Sequence, residues 1–286
     1  MTGEIYSLDE NGWKWTDSLW KALETGAISN PMARMWEKKR TGIVSVVGAG
    51  GKTTVMRRLR EECLAEKIPH IVSTTTHMQT GPEECFVKEP DLEQIKSVLE
   101  KKGTVWMGIP INKEKMGSFP LDFLINVENL NVWMFLEADG AKCLPVKAPR
   151  DTEPVILKGT THVISVYGLD GIGQQIQECC CRPEHVAQIL NKNTDEILEW
   201  KDLVKLVLSS CGGRKFVTNE MEYHVILNKA DTKEQKKLAR KIAEAIIEQA
   251  QMSERERECS ENQAHSVVKS VHITDWLYSI KSIEIK

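Results

Sequence analysis

The sequence predicts a doubly wound α/β fold built on a mostly parallel sheet, and three observations carry that reading. Strand-like and helix-like segments alternate along the chain, as βαβ units do. The run Asn131-Val132-Trp133-Met134-Phe135-Leu136 is short, apolar throughout its centre and bounded by polar residues. Such a run suits a central parallel strand covered on both faces. A second apolar run, Ile43, Val44, Val46 and Val47, enters a glycine-rich turn and then the helix-like stretch Val55-Met56-Arg57-Arg58-Leu59.

Taken in order, residues 12–38 carry Trp13, Trp15, Trp20, Leu23 and Trp36 and read as an amphipathic helical preface interrupted at Asn30-Pro31. Residues 1–40 are therefore expected to be a helical N-terminal extension, and 41–286 the main domain. A strand at 42–47 and a helix at 52–66 open that domain. A strand at 69–74, a helix at 91–101 and a strand at 103–108 follow, and after 131–136 come strands at 162–167 and 223–228. The stretch 233–251 places Leu238, Ile242, Ala245, Ile246 and Ala250 at helical spacing. The less regular segment 169–221, with helices at 183–191 and 194–209, reads as a small inserted helical subdomain.

Composition narrows the classes. A chain of 286 residues has room for one large or two modest domains with a buried core. A net charge of −3 gives no electrostatic reason to expect nucleic-acid binding. No apolar run approaches the roughly 18 residues of a spanning helix, and the N-terminus is acidic, so a cytoplasmic protein without membrane contact is expected. Of eight cysteines, Cys179, Cys180 and Cys181 are consecutive and none shows C-x-x-C spacing, which reads as reduced thiols.

The glycine-rich turn is Gly48-Ala49-Gly50-Gly51-Lys52-Thr53-Thr54. Strand, glycine turn, Lys-Thr and helix make a phosphate cradle. Backbone N–H groups converge on an anion at the positive end of a helix. The Lys reaches the β/γ-phosphates and the first Thr hydroxyl coordinates Mg²⁺. The full G-x-x-x-x-G-K-[ST] pattern wants glycine where this chain has Val46, so a chance glycine turn is the alternative.

Two companions lie downstream in the order such a site requires. The strand 131–136 ends in Glu137-Ala138-Asp139-Gly140, where a carboxylate can hold Mg²⁺ or its water ligands; the bland alternative is an acidic turn. Strand 223–227 runs into Asn228-Lys229-Ala230-Asp231, an N-K-x-D pattern. There the Asp accepts from N1–H and N2 of guanine, the Lys stem packs on the base, and the Asn braces the neighbouring loop. Adenine lacks that donor pair. The alternative reading makes Asp231 or Thr232 the N-cap of the helix at 233.

On these residues the chain resembles metallocentre-assembly GTPases, which carry E-x-x-G after the corresponding strand. It is more similar to the YqeC family of accessory proteins of selenium-dependent molybdenum hydroxylases. The carriers are GAGGKTT at 48–54, STTTHM at 73–78, EADGAKCLPVKAP at 137–149, EPVI at 153–156, GLDGIG at 168–173, RPE at 182–184 and NKAD at 228–231. The resemblance implies a P-loop NTPase acting in maturation of a molybdenum hydroxylase, with that client or its cofactor-handling proteins as partners. Pairing of such GTPases across the nucleotide implies a homodimer.

Some carriers have two readings. Ser73–His77 suits a switch loop or a plain β-branched strand end. Lys142 and Lys147 suit anion contacts or solvated surface, and Asp170 a ligand contact or turn geometry. Cys143 and Cys179–Cys181 invite a soft metal, but without C-x₂-C spacing they read as ordinary thiols. The expected chemistry is phosphoryl transfer from GTP to water. Lys52 and the loop amides neutralise charge, Thr53, Asp139 and Glu137 serve Mg²⁺, and Glu137 orients the attacking water. The roles of Glu137 and Asp139 are interchangeable at this level. An ATP-dependent kinase or ligase, suggested by the G-T-N-G-K-T-T loop of Mur-type ligases, and a non-hydrolysing nucleotide-binding scaffold remain as alternatives.

Overall fold

A computed structural model describes residues 5–24, 41–258 and 268–275. A β-hairpin opens the chain, β1 (Ile5–Asp9) and β2 (Gly12–Thr16), followed by α1 (Leu19–Glu24). Next come β3 (Ile43–Gly48), α2 (Lys52–Ala65), β4 (His70–Thr74), β5 (His77–Gln79) and β6 (Phe86–Val87). Then follow α3 (Leu92–Lys102), β7 (Thr104–Met107), β8 (Ile109–Pro110), β9 (Lys115–Gly117), α4 (Leu121–Glu128) and β10 (Trp133–Glu137). The second half contains β11 (Val146–Lys147), β12 (Thr160–Gly168), α5 (Ile176–Cys179), β13 (Cys180–Cys181), α6 (Pro183–Leu190) and α7 (Trp200–Leu208). It closes with β14 (Glu222–Asn228), α8 (Lys233–Glu258) and β15 (Val268–Thr274).

Ten strands form one sheet in the order β2-β1-β15-β14-β12-β3-β10-β4-β7-β6. The eight from β15 to β6 are parallel; β1 runs against them, and β2, antiparallel to β1, returns to their direction at the edge. This is the predicted doubly wound α/β class, consistent with a P-loop NTPase-like fold.

Alternation along each strand assigns its two faces. Val44, Val46, Val72, Phe135, Ile164, Val166 and Ile226 point to the face covered by α1 and α2, where Trp20, Val55, Met56 and Leu59 pack. Ile71, Val105, Met134 and Leu136 point the other way, against Ile95 of α3 and Leu124 and Val127 of α4. Val163, Val225, Leu227, Val271 and Ile273 share that second face with α7 and α8. Burying both faces is why the strand at 133–137 carries an unbroken apolar run rather than an alternating one.

Helix ends follow local chemistry. Asp91 caps α3 by accepting from the N–H groups of Glu93 and Gln94, an arrangement that contributes about 1 kcal/mol. Gly103 closes that helix in the left-handed region at φ 71°.

The structure departs from expectation at three places. The helical reading of residues 12–38 holds only for Leu19–Glu24, because residues 5–16 form the β1–β2 hairpin; residues 25–38 lie outside the described residues. The helix expected at 194–209 begins only at Trp200. The strand β15 was not anticipated, and it inserts between β14 and β1. Residues of the 169–221 segment, Leu190, Leu198, Leu203 and Val207 among them, pack into the same core as Tyr223 and Ile242.

Candidate functional site

The sheet order places β3 and β10 side by side and parallel, with Glu137 opposite Val46. Their carboxyl ends therefore deliver the glycine loop and the Glu137–Gly140 turn to one point. Gly48, Gly50 and Gly51 have φ of 89°, 75° and 127°, which L-residues rarely adopt. A Cβ on Gly50 would lie 2.2 Å from the Gly168 nitrogen, and one on Gly51 would lie 2.4 Å from Asn228 Nδ2. The loop is compressed between β12, the 141–144 turn and β14.

Its amides divide into two groups. Gly48 N–H donates to Asp139 Oδ2 at 3.1 Å, Ala49 N–H to Val166 O at 2.8 Å and Gly50 N–H to Leu144 O at 3.0 Å. These three hold the loop in place. The N–H groups of Gly51, Lys52, Thr53 and Thr54, at the start of the 14-residue helix α2, have no backbone acceptor among the described residues. They are the orphan donors of a helix N-terminus, where the helix dipole favours an anion.

Lys52 is 4 % exposed and turns back over this end. Its Nζ donates to Gly48 O at 2.8 Å and lies 3.1 Å from Asp139 Oδ1 and 3.8 Å from Glu137 Oε1. Thr53 Oγ1 donates to Glu137 Oε2 at 3.1 Å. Burial alone would lower the Lys52 pKa, but Asp139 and then Glu137 outweigh it and hold the ammonium above its usual value. Burial is also the main influence on Glu137 and pushes its carboxyl up against the opposing pull of Lys52.

A second cation meets Asp139 from the far side. Lys147 was open to an anion-binding or a solvated-surface reading; its side chain is in fact wholly buried. Lys147 Nζ lies 2.8 Å from Asp139 Oδ2 and 2.7 Å from Glu153 Oε2, and it donates to Gly140 O at 2.6 Å. Glu153 Oε1 in turn accepts from Arg182 Nη2 at 2.7 Å and sits 3.3 Å from Arg150 Nε. Lys52, Asp139, Lys147, Glu153 and Arg182 thus form one chain of alternating charge under the loop. Glu153 and Arg182 carry no role in the sequence reading, although the motifs EPVI and RPE contain them.

The N-K-x-D segment arrives at the same place from β14. Asn228 Nδ2 donates to Gly50 O at 2.7 Å, and its Oδ1 accepts from Thr274 Oγ1 at 3.0 Å. Lys229, at φ 64°, pairs with Asp170 at 2.6 Å. Asp170 thereby has a specific partner on the neighbouring strand end. Capping of α8 falls to Thr232: its Oγ1 accepts from Gln235 N–H at 3.1 Å, while Gln235 Oε1 accepts from Thr232 N–H at 3.0 Å. Gln235 Oε1 also accepts from Asp231 N–H at 3.1 Å, which completes a reciprocal capping box centred on Thr232.

The Ser73–His77 segment serves mainly as bracing. Thr74 Oγ1 donates to Glu137 O at 2.7 Å, and Thr75 Oγ1 to Val155 O at 2.8 Å. Beyond it opens a cleft of about 550 Å³ lined by Thr76, His77, Gly140, Arg150 and Glu153 among others. Cys179, Cys180 and Cys181 are buried in the core, whereas Cys143 and Cys211 are exposed.

The YqeC protein family matches residues 44–184. The protein YqeC of Escherichia coli (strain K12) is 32% identical over 187 residues, an overlap covering 63% of this chain and 73% of that relative. The chain belongs to the YqeC family. The YqeC match spans the glycine loop, Glu137–Gly140 and the whole Lys147–Glu153–Arg182 chain. It stops short of Asn228–Asp231.

Proposed function

We propose that this YqeC-family protein binds and hydrolyses a nucleoside triphosphate, GTP in preference to ATP, as an accessory factor in maturation of a selenium-dependent molybdenum hydroxylase. The observation that carries the nucleotide reading is the set of four orphan amides at Gly51–Thr54 facing the Lys52–Glu137–Asp139 cluster. That pairing supplies hydrogen-bond donors and positive charge for the phosphates beside carboxylates for a metal and water.

Lys147 makes the mechanism electrostatically coherent. When Lys52 swings from Gly48 O to a phosphate, Asp139 stays neutralised by Lys147 at 2.8 Å. The buried carboxylate is never stranded, which would cost several kcal/mol. With Asp139 held by Gly48 N–H and Lys147, Glu137 is the carboxylate left to orient an attacking water.

Mg²⁺ fits the donor set. The Thr53 hydroxyl and the Glu137 carboxylate are 3.1 Å apart, and the buried Asp139 Oδ1 faces the Lys52 ammonium at 3.1 Å without a well-aligned hydrogen bond among the described residues. These are hard oxygens, the class Mg²⁺ prefers. Thr53, Glu137 and Asp139 would hold the ion, which supplies charge neutralisation at the transferring phosphoryl group.

Guanine selectivity rests on Asp231 as the acidic residue of the N-K-x-D segment, with Asn228 tying that segment to the loop. Service to a molybdenum hydroxylase rests on family likeness, carried by EADGA-x-x-x-P-x-KAP. The cleft beside Gly140 favours a second reading, in which a small-molecule acceptor rather than water takes the phosphoryl group.

Binding and turnover of GTP and ATP by the wild type, Lys52→Ala and Asp231→Ala test the proposal. GTP is expected to bind at least about 100-fold more tightly than ATP. Asp231→Ala erases that preference, and Lys52→Ala abolishes turnover. An ATP preference indifferent to Asp231→Ala sinks the guanine assignment, and undiminished turnover in Lys52→Ala sinks the phosphate-loop reading. Capture of a molybdenum hydroxylase that depends on non-hydrolysable GTP tests the client.

A further inference from the structure

The amino-terminal ends of β12 and β14 carry polar side chains where a doubly wound sheet needs apolar ones. His162 pairs directly with Glu222 in the parallel register, and His224 lies two residues beyond Glu222 on the same strand. Directly paired residues, and residues two apart on one strand, share a face. All three therefore project from the face that α1 and α2 cover, together with Ile164 and Ile226. His162 precedes Gly168 by six positions on β12, so this cluster lies about 20 Å from the glycine loop, toward the opposite end of the sheet.

We infer that His162, Glu222 and His224 form a binding site for a divalent transition-metal ion of the Zn²⁺ class. One ligand atom from each, two imidazole nitrogens and one carboxylate oxygen, lies within 4.8 Å of the others. Glu222 Oε2 is 3.5 Å from His224 Nε2 and 3.8 Å from His162 Nε2. A tetrahedral Zn²⁺ with bonds near 2.05 Å sets its ligands about 3.3 Å apart. Small side-chain rotations close the difference, and His162 and Glu222 have room for them at 19% and 35% side-chain exposure.

The independent sign of a ligand is His224. Its side chain is 1% exposed, and among the described residues neither its Nε2 nor the buried Glu222 Oε2 3.5 Å away makes a well-aligned hydrogen bond. A buried polar atom left unpaired costs about 1–3 kcal/mol, so its persistence needs a reason. The opposite nitrogen supplies one. His224 Nδ1 bonds Ser270 Oγ at 2.8 Å, Ser270 Oγ bonds His272 Nε2 at 2.7 Å, and His272 Nδ1 bonds Ser7 Oγ at 2.8 Å. Two polarities satisfy the relay: each Nδ1–H donates to a serine oxygen and Ser270 O–H to His272 Nε2, or every donor is reversed. The first turns the His224 Nε2 lone pair toward Glu222, the form that can ligate a metal, and the second turns Nε2–H toward that carboxylate. His162 Nδ1 likewise bonds Thr161 Oγ1 at 2.7 Å. Metal-ligating histidines are oriented in this way through their second nitrogen.

Two imidazoles and a carboxylate select Zn²⁺ or its neighbours over Mg²⁺. Three protein ligands leave a fourth position for water on the partly exposed side of Glu222. The ion would staple β12 to β14 at the end of the sheet remote from the loop, and nothing in the inference depends on nucleotide binding.

The test uses the full chain, stripped with a chelator and titrated with Zn²⁺ by calorimetry. Cys143→Ser/Cys211→Ser is the background, to remove the thiols exposed among the described residues. One equivalent is expected, with Tm raised by about 5 °C at 100-fold excess over Kd. Co²⁺ should give the visible absorption of a four-coordinate site, and millimolar Mg²⁺ should not compete. His162→Ala and Glu222→Gln each weaken Zn²⁺ binding at least about 100-fold. These partly exposed positions are chosen over His224, and an unchanged metal-free Tm shows that each variant folds. No stoichiometric binding in that background, equal affinity in both variants, or effective competition by Mg²⁺ overturns the site.

Discussion

Asn228 Nδ2 donates to the carbonyl of Gly50 across 178 positions of chain, at 2.7 Å. Its other amide atom, Oδ1, accepts from Thr274 Oγ1 at the end of β15. One side chain thus ties the last two parallel strands to the glycine loop, its amide donating to one partner and accepting from the other.

Asn228→Ala should therefore loosen the loop rather than the base contact. It strands a buried carbonyl and a buried hydroxyl, at a cost of about 1–3 kcal/mol in urea denaturation. GTP and ATP affinities are expected to fall together, by about tenfold, whereas Asp231→Ala acts on GTP alone. A selective loss for GTP in Asn228→Ala contradicts this division of labour.

Lys147→Met should be the more damaging change for stability. It leaves the buried carboxylates of Asp139 and Glu153 facing one another, and breaking a buried pair on one side costs about 3–5 kcal/mol. Arg150→Ala removes a 59% exposed partner of the same Glu153 and should stay within about 1 kcal/mol of wild type. Equal chemical-denaturation midpoints for the two variants would count against the buried-network account.

Turnover should fall on acidification at a pH above the usual carboxylate range, because burial raises the pKa of Glu137 above 4.5. The ionised form is the one that orients water. A folded-state pKa above the unfolded one favours the protonated form, so this group's contribution to stability is complete below 4.5 and is lost as pH rises through the folded value. Activity thus requires the form that folding disfavours. Glu137→Gln should cost at least about 100-fold in turnover and remove that acidic limb from a pH–rate profile.

His70 gives an opposite pH dependence to stability. Burial holds its pKa down to about 4 from 6.5, with Nδ1 against Ile68 O at 2.8 Å and Nε2 against Thr104 Oγ1 at 2.9 Å. Its contribution is present above 6.5 and is lost as pH falls from there toward 4, amounting to about 2 kcal/mol at pH 5. Tm measured from pH 7 to pH 5 should drop less in His70→Gln than in the wild type. Parallel curves would rule His70 out as the source.

The sequence by itself determined the α/β class, the parallel core strands and the helices between them, because burial on two faces writes a continuous apolar run at 133–136 and a glycine turn follows the run at 43–47. It also marked the loop, Glu137–Gly140 and Asn228–Asp231, whose residue types and strand-end positions are local properties. The hairpin was legible too, in the period-two alternation Trp13-Lys14-Trp15 after the Glu10-Asn11 turn, but tryptophan content suggested a helix. Only the tertiary structure decided which lysine is paired and how. Lys147 and Asp139 are eight positions apart in a turn-rich segment, and no periodicity fixes that a buried ammonium there bridges Asp139 to Glu153. It also decided that Thr274, His162, Glu222 and His224 have roles at all. Their partners come from neighbouring strands, and pairing across a parallel sheet is set by strand order, which a single chain of letters does not record.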